Sequence, residues 1–367
     1  MRLLSLRASH VTLAAARAAS ALLGRAEAGP PEGTPFFMAL PPNALPYAVG
    51  ANGFVAVGGF FSEVGPGLVW MPTSGVTAIG GINAVTVSRD GKKIAGRALD
   101  SRGLENAAIW TGGTSWRTLG SITPNAQPCD RLLSGTFGGN ADGTVLVGLA
   151  WDGCKIARAF RWEEATGMVN LGSLSGTSTR ANDVSGNGRV VIGWEEDRTG
   201  PRLGAKWVDG KQEMIEGPGG AVGEAFATNW DGSLIAGTKC DWTSTLPPAT
   251  GWIWSRSRGV TCLPVERPRW ALNLPYGVYP QATSDDGRVI GGSLSFGLDA
   301  ESVVWFDGEP FMLRDYLRDH GVPDAFEGWV NTGFITDVSP DGRILVGYGA
   351  GPRTFQGYMV VLPELTR

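Results

Sequence analysis

Apolar positions along this chain come in short bursts separated by polar turns, too brief for helices and too frequent for a single sheet. Runs such as Val145-Leu146-Val147, Val190-Val191-Ile192 and Ile344-Leu345-Val346 are rich in β-branched residues, the mark of buried strands. A second run stands just upstream, as in Ala84-Val85-Thr86-Val87-Ser88 and Ile335-Thr336-Asp337-Val338-Ser339. Between each pair of runs lies Asn or Asp followed by Gly: Asn52-Gly53, Asp90-Gly91, Asp142-Gly143, Asn187-Gly188, Asp231-Gly232, Asp286-Gly287 and Asp341-Gly342. These dipeptides predict two-residue hairpins in which both central residues take positive φ. Five residues after each turn glycine stands another, at Gly58, Gly96, Gly148, Gly193, Gly237, Gly292 and Gly347. The hairpin is therefore a repeat.

A third strand follows each hairpin and carries an aromatic 16 to 22 residues beyond the turn glycine: Trp70, Trp110, Trp162, Trp207, Trp254, Trp305 and Tyr358. Many units end in a fourth short segment, such as Gly167-Met168-Val169-Asn170-Leu171-Gly172. Four strands per unit, with units 38 to 55 residues apart, are the pattern of propeller blades. The expected fold is all-β, a seven-bladed β-propeller of four-stranded antiparallel blades starting near residues 45, 83, 134, 180, 223, 280 and 333; two stacked all-β domains are the competing arrangement. The last unit lacks a fourth strand. The apolar segment 34–40 precedes the first blade without belonging to it, and is expected to complete blade seven and close the ring.

Composition agrees with a turn-rich globular chain. Of 367 residues, 55 are glycine, 43% are hydrophobic and 18% charged, so neither collagen nor disorder fits. The net charge of −4, without a basic stripe, argues against a nucleic-acid partner. Residues 1–28 read as a signal peptide: Arg2 and Arg7, an apolar stretch from Val11 to Leu23, then Ala26-Glu27-Ala28 as a cleavage site. Residues 29–367 would form the single propeller. No later segment is long and apolar enough to span a membrane.

The third unit reads Arg158-Ala159-Phe160-Arg161-Trp162, then Gly167-Met168-Val169-Asn170-Leu171-Gly172-Ser173-Leu174; the next contains Val184-Ser185-Gly186-Asn187-Gly188-Arg189-Val190-Val191-Ile192-Gly193. These segments resemble the HAF family of probable extracellular repeats, with Arg158 where that family carries histidine. Units two, three, four and seven match best, and the resemblance covers most of residues 45 to 362. It implies an exported protein of the bacterial surface or periplasm, and no defined activity or ligand.

In a propeller the first-to-second and third-to-fourth turns share one face, and the other connections share the opposite face. Here the hairpins are all tight, while the long insertions (120–133, 238–251, 263–280 and 313–331) fall on the second face. Binding residues concentrate on such loops. All four cysteines lie there. Three pairings are possible; Cys129 with Cys154 and Cys240 with Cys262 would each tie a loop to its own blade, and suit an exported protein. They lack the close spacing of a zinc site. Candidate binding residues on this face are Trp151, Trp194, Glu195, Glu196, Arg198, Trp242, Trp270, Tyr279 and Trp329, since rings beside charged groups stack on sugars or anchor proteins. The leading reading is a non-catalytic binder of a protein or polysaccharide; the alternative is a carbohydrate-active lyase or hydrolase using the carboxylates of Glu195, Glu196 and Asp197. Only His10 and His320 are histidines, and no nucleophile elbow, phosphate loop or calcium loop is present. No catalytic residue, metal or cofactor is expected.

Overall fold

The structure is a computed structural model and describes residues 33–51, 56–60, 65–240, 250–265, 276–296 and 299–363. The signal-peptide segment lies outside the described residues. Strand β1 (Phe36–Pro42) precedes blade one, which comprises β2 (Ala44–Val49), β3 (Ala56–Phe60), β4 (Gly67–Met71) and β5 (Gly75–Gly80). Blade two comprises β6 (Asn83–Val87), β7 (Ile94–Leu99), β8 (Glu105–Gly112) and β9 (Ser115–Thr118). Blade three follows with β10 (Ser134–Gly139), β11 (Val145–Trp151), β12 (Ala157–Glu163) and β13 (Gly167–Asn170), and blade four with β14 (Thr179–Val184), β15 (Val190–Glu196), β16 (Arg202–Val208) and β17 (Lys211–Met214). A small hairpin, β18 (Glu216–Gly217) and β19 (Gly220–Ala221), leads to blade five: β20 (Ala225–Thr228), β21 (Leu234–Thr238), β22 (Gly251–Ser255) and β23 (Gly259–Leu263). Blade six is β24 (Gly277–Thr283), β25 (Val289–Phe296), β26 (Asp299–Phe306) and β27 (Glu309–Met312), followed by helix α1 (Leu313–Asp319). Blade seven is β28 (Asn331–Val338), β29 (Ile344–Ala350) and β30 (Phe355–Val361).

Each blade is one four-stranded sheet, and in the seventh the order is β1-β30-β29-β28. Closure of the ring therefore rests on β1, which pairs antiparallel with β30 through Phe36↔Val361, Phe37↔Val360, Met38↔Met359 and Ala39↔Tyr358. It lies two residues later than segment 34–40. The Phe37 ring then reaches into blade seven, 4.6 Å from Phe326 and 6.3 Å from Tyr358. The fully buried Tyr358 hydroxyl bonds to Ser302 Oγ at 2.6 Å in blade six and donates to the Phe334 carbonyl at 3.2 Å.

The repeat's glycines have two different reasons. Each second glycine lets strand two approach strand one: a Cβ at Gly193 would stand 2.0 Å from the Arg180 carbonyl oxygen, and at Gly58 1.9 Å from that of Leu45. The turn glycines differ from expectation. Only the glycine takes positive φ, 74° at Gly91 and 75° at Gly342, while the preceding Asp does not. The Gly91 N–H bonds the Ser88 carbonyl at 2.8 Å, so a tight turn spans Ser88 to Gly91 and the left-handed glycine follows it. Asp90 Oδ1 accepts the Lys92 N–H at 3.1 Å and Ser88 Oγ accepts the Lys93 N–H at 2.9 Å. The same pair of bonds recurs at Asp286 and Ser284 and at Asp341 and Ser339. This explains the Ser-x-Asp-Gly sequence by side-chain capping of the turn.

The strand-three aromatics wedge between blades, with Trp70, Trp162, Trp207, Trp305 and Tyr358 buried. The Trp207 indole N–H donates to the Leu171 carbonyl of blade three, and that of Trp305 to the Pro264 carbonyl at the end of blade five. In blade five the fully buried ring is Trp252, whose indole N–H donates to Thr238. Trp254 is half-buried instead, under Lys206 Nζ at 4.1 Å. Both disulfides form as expected: Cys129–Cys154 staples two loops of blade three, and Cys240–Cys262 ties the β21–β22 loop to β23, with Cα atoms 4.3 and 5.4 Å apart.

Candidate functional site

The first strands of all seven blades line one axial cavity of about 200 Å³. Every one of these strands contains a bulge at the same place in the repeat, six residues before the turn glycine. The extra residue has no partner on strand two and turns to the cavity. The result is a belt of Tyr47, Val85, Phe137, Asn182, Phe226, Gln281 and Thr336, none of them buried, although the residue before each is buried in every blade. Because the belt residues share no chemical type, sequence reasoning missed them; their fixed distance from the turn glycine is the signal that would have found them.

On the hairpin face the turns rim the cavity and an ion pair spans it. Successive blades are linked there by main-chain bonds from Ala51 N–H to Arg89, Arg89 to Ala141, Ala141 to Gly186, Trp230 to Asp285 and Asp285 to Pro340. Asn187 N–H bonds Trp230 in the remaining described step, and Pro340 has no N–H to continue the circle. The Arg89 side chain crosses the axis from blade two to pair with Asp285 of blade six, and its guanidinium lies 4.2 Å over the Trp230 ring of blade five. These three side chains occupy one repeat position, two before the turn glycine.

Between this rim and the belt stand two carboxyls at another shared position, Asp183 in blade four and Asp337 in blade seven. Asp337 Oδ2 accepts the Val49 N–H of blade one at 2.8 Å, and Asp183 Oδ2 accepts the Thr228 N–H of blade five at 3.1 Å. Each thereby joins its blade to the next. Burial pushes both carboxyls up to about 7 against the opposing effect of those N–H donors, and Asp183 adds repulsion at Asp337.

At the loop-rich mouth a ladder of alternating rings and guanidinium groups crosses from blade three to blade four. The Arg180 guanidinium lies 4.7 Å over Phe137 and 5.3 Å from Trp194, whose ring is also covered by Arg202 at 4.6 Å. Glu224 binds both cations, through Oε2 to Arg180 and Oε1 to Arg202, each at 3.1 Å. Burial lowers the Arg180 pKa, and Glu224 opposes that. Arg180 Nε also donates to Asn182 Oδ1 of the belt at 2.6 Å.

The loop-face candidates are thus dispersed among different roles. Trp194 is buried inside the ladder with its indole N–H unpartnered. Glu195 points the other way and holds the 172–176 loop: its oxygens accept the Leu174 and Ser175 N–H groups at 2.9 and 2.7 Å and the Gln212 amide. Burial works to raise the Glu195 pKa, yet these donors hold it below its ordinary value. Such a carboxylate is occupied by the fold. Glu196 is half-buried opposite Arg202, and Arg198 is exposed. Trp151 is half-buried at the end of β11, and Tyr279 lies edge-on to Phe226 at 6.3 Å beside the belt. Trp329 is instead a core residue, buried against Phe37, Phe326 and Tyr358. Trp242 and Trp270 lie outside the described residues. His320 ends α1, stacked 4.1 Å from Tyr316 with Nδ1 against the Tyr316 carbonyl. Among the described residues no group of three His, Cys, Asp or Glu side chains is placed to hold a metal ion, and no helix is long and apolar enough to cross a membrane.

No family model matches the chain, and no curated protein matches it. Solved structures do. The chain is a seven-bladed β-propeller. It is similar to an oligogalacturonate lyase from Vibrio parahaemolyticus, with a TM-score of 0.57 and 12% identity over 90% of this chain and 98% of that one. An oligogalacturonate lyase in complex with manganese gives 0.55 and 13%, covering 91% and 98%. The β-propeller domain of the Trilobed protease from Pyrococcus furiosus gives 0.51 and 16%, covering 84% and 90%. That domain has an open velcro topology, whereas here β1 closes the ring. At these identities the likeness is one of fold.

Proposed function

We propose that this protein is an exported, non-catalytic β-propeller of the HAF repeat type that binds a protein or polysaccharide partner through its loop-rich face. The observation that carries the reading is the asymmetry of the axial cavity. Its hairpin end is crossed by Arg89 and Asp285, while its belt faces the side that carries the long loops. Two disulfides brace loops on that same side, which reduces the ordering cost of binding and suits a periplasmic or extracellular setting. The test is recovery of partners from an envelope extract and from a glycan array with wild type, Phe137→Ala, Tyr47→Ala and the hairpin-face control Lys92→Glu. Binding lost in the first two variants and kept in the control supports the reading; loss confined to Lys92→Glu refutes it.

A carbohydrate-active lyase or hydrolase is the second reading, favoured by the Asp183 and Asp337 carboxyls. They share one cavity and have pKa values of about 7, the range in which a side chain exchanges protons at neutral pH. Incubation with a panel of polysaccharides should then release reducing or unsaturated ends, and Asp183→Asn should abolish the release.

A further inference from the structure

We propose that the ladder at the mouth of blades three to five recognises a carboxylate-bearing polysaccharide. The inference rests on the binding reading of the loop-rich face and narrows it to one ligand class. Its first ground is the unused hydrogen-bonding edge of Arg202. The guanidinium carbon is seated 4.6 Å from the centre of the Trp194 ring, and Glu224 takes only Nη1, at 3.1 Å. Nε and Nη2 remain as a parallel pair of donors on a side chain that keeps 49% of its surface exposed. A planar fork fixed in this way matches the two oxygens of a carboxylate, and a flexible ammonium does not.

The second ground is charge. Glu224 is one carboxylate shared by two guanidinium groups, Arg180 and Arg202, and it is itself only 14% exposed. Glu224 therefore neutralises only one of the two guanidinium charges that it contacts. Glu196 stands opposite Arg202 in the strand register, yet among the described residues only Glu224 lies within ion-pairing reach of Arg202. In a chain of net charge −4, local positive charge selects an anionic ligand against the protein's general repulsion of one.

The third ground is Phe137, at the opposite end of the ladder. Arg180 covers one face of its ring while the residue remains 38% exposed at the cavity mouth. An exposed ring fixed from behind is a stacking platform for a pyranose face. Two intervening groups, Arg180 and Trp194, separate this platform from the Arg202 fork, so one sugar unit does not touch both and a polymer does. The combination specifies stacking at one end and carboxylate capture at the other.

The experiment is affinity electrophoresis and calorimetry of the disulfide-intact protein. The ligands are polygalacturonate and alginate as acidic polymers, and dextran and galactomannan as neutral ones. Wild type should bind an acidic polymer, weaken with salt, and leave both neutral polymers unbound. Arg202→Gln should lose about tenfold or more in affinity, the loss expected for a hydrogen-bonded charge, and Arg202→Lys should not restore it. Phe137→Ala should weaken the same binding. Arg117→Gln, which breaks an exposed pair with Glu164 elsewhere, should leave binding unchanged, and circular dichroism and the thermal midpoint verify folding of each variant. Acidic-polymer binding unaffected by Arg202→Gln overturns the proposal. So does equal binding of neutral polymers; if that binding is lost in Phe137→Ala, the face still binds and only the ligand class is wrong. Failure to bind any polymer overturns the proposal, and a partner recovered through Phe137 would leave the broader reading standing. Polymer binding unchanged by both Phe137→Ala and Arg202→Gln overturns the two together.

Discussion

Asp183→Asn should stabilise the protein in alkaline solution and not in acid. In the fold the Asp183 carboxyl is raised from 3.8 to about 7, chiefly by burial. At 1.36 kcal/mol per pKa unit, the ionised side chain destabilises the native state by at most about 4 kcal/mol relative to the protonated one. Asp183 lines the cavity and is not fully buried, so solvent screening reduces this figure, and about 2 kcal/mol or more is expected to be measurable. The sign follows from the direction of the shift. A carboxyl raised on folding keeps in the native state a proton that the unfolded chain has released. Its contribution is full below the unfolded pKa and is lost as pH rises from 3.8 to about 7. Asn cannot ionise, and its carbonyl retains an acceptor for the Thr228 N–H that Asp183 binds at 3.1 Å. Urea unfolding of wild type and variant across this range, with disulfides intact, provides the assay. The variant's midpoint should overtake that of wild type within this window and keep its lead above neutrality, and Asp183→Asn/Asp337→Asn should extend the gain, because Asp337 is raised to the same value. A variant that stays less stable than wild type by the same margin at acid and alkaline pH would refute the reasoning.

Three further perturbations test the scaffold. Gly193→Ala places a methyl group 2.0 Å from the Arg180 carbonyl oxygen, and should cost about 2–4 kcal/mol by forcing two strands apart; a lowered thermal midpoint with altered tryptophan fluorescence would register it. Replacing Cys240 by Ser opens a cross-link between residues 22 apart, worth about 3 kcal/mol in the chain-entropy account. The loss should appear under oxidising conditions and shrink when both proteins are reduced. Tyr358→Phe removes a buried hydroxyl bonded to Ser302 Oγ at 2.6 Å, leaves that Ser without this partner, and should lower the urea midpoint by the equivalent of about 1–3 kcal/mol.

Much of the fold was readable because its determinants are periodic. Hairpin glycines, strand-three aromatics and the missing fourth strand of the last unit fix blade number, strand order and the role of β1. Both disulfides followed from which loops share a blade. The turn conformation did not follow. Asp-Gly permits more than one hairpin, and what decides here is the serine two residues before the Asp, whose hydroxyl accepts a strand-two N–H. The site was harder still. Trp329 reads as a binding ring because it lies in a long loop, but a loop aromatic can fold back, and the pocket of Phe37, Phe326 and Tyr358 draws it in. Glu195 carries the same ambiguity: sequence shows a carboxylate in a loop-proximal run, and only coordinates show the N–H groups that occupy it.

The functional positions emerge where the repeat's own geometry is held constant and its side chains change. A bulge in every first strand turns one residue toward the axis regardless of identity, so that position is free of core packing and its chemistry can vary. The sixth residue beyond the turn glycine varies in the same way: Gly59, Arg97, Leu149, Trp194, Thr238, Ser293 and Tyr348. Packing demands alone would favour one residue type at equivalent sites, as the wedge aromatics illustrate. Bulky and charged choices instead group between neighbouring blades, Tyr47 of blade one with Tyr348 of blade seven at 6.2 Å, and Phe137 of blade three with Arg180 and Trp194 of blade four. The second group, which adds two guanidinium charges to its rings, breaks the seven-fold symmetry at its sector of the loop-rich mouth, and no repeat-level requirement of the ring calls for it. A ligand recognised by that sector supplies such a requirement, which is why the Arg202 and Phe137 substitutions test function while Gly193 tests only the scaffold.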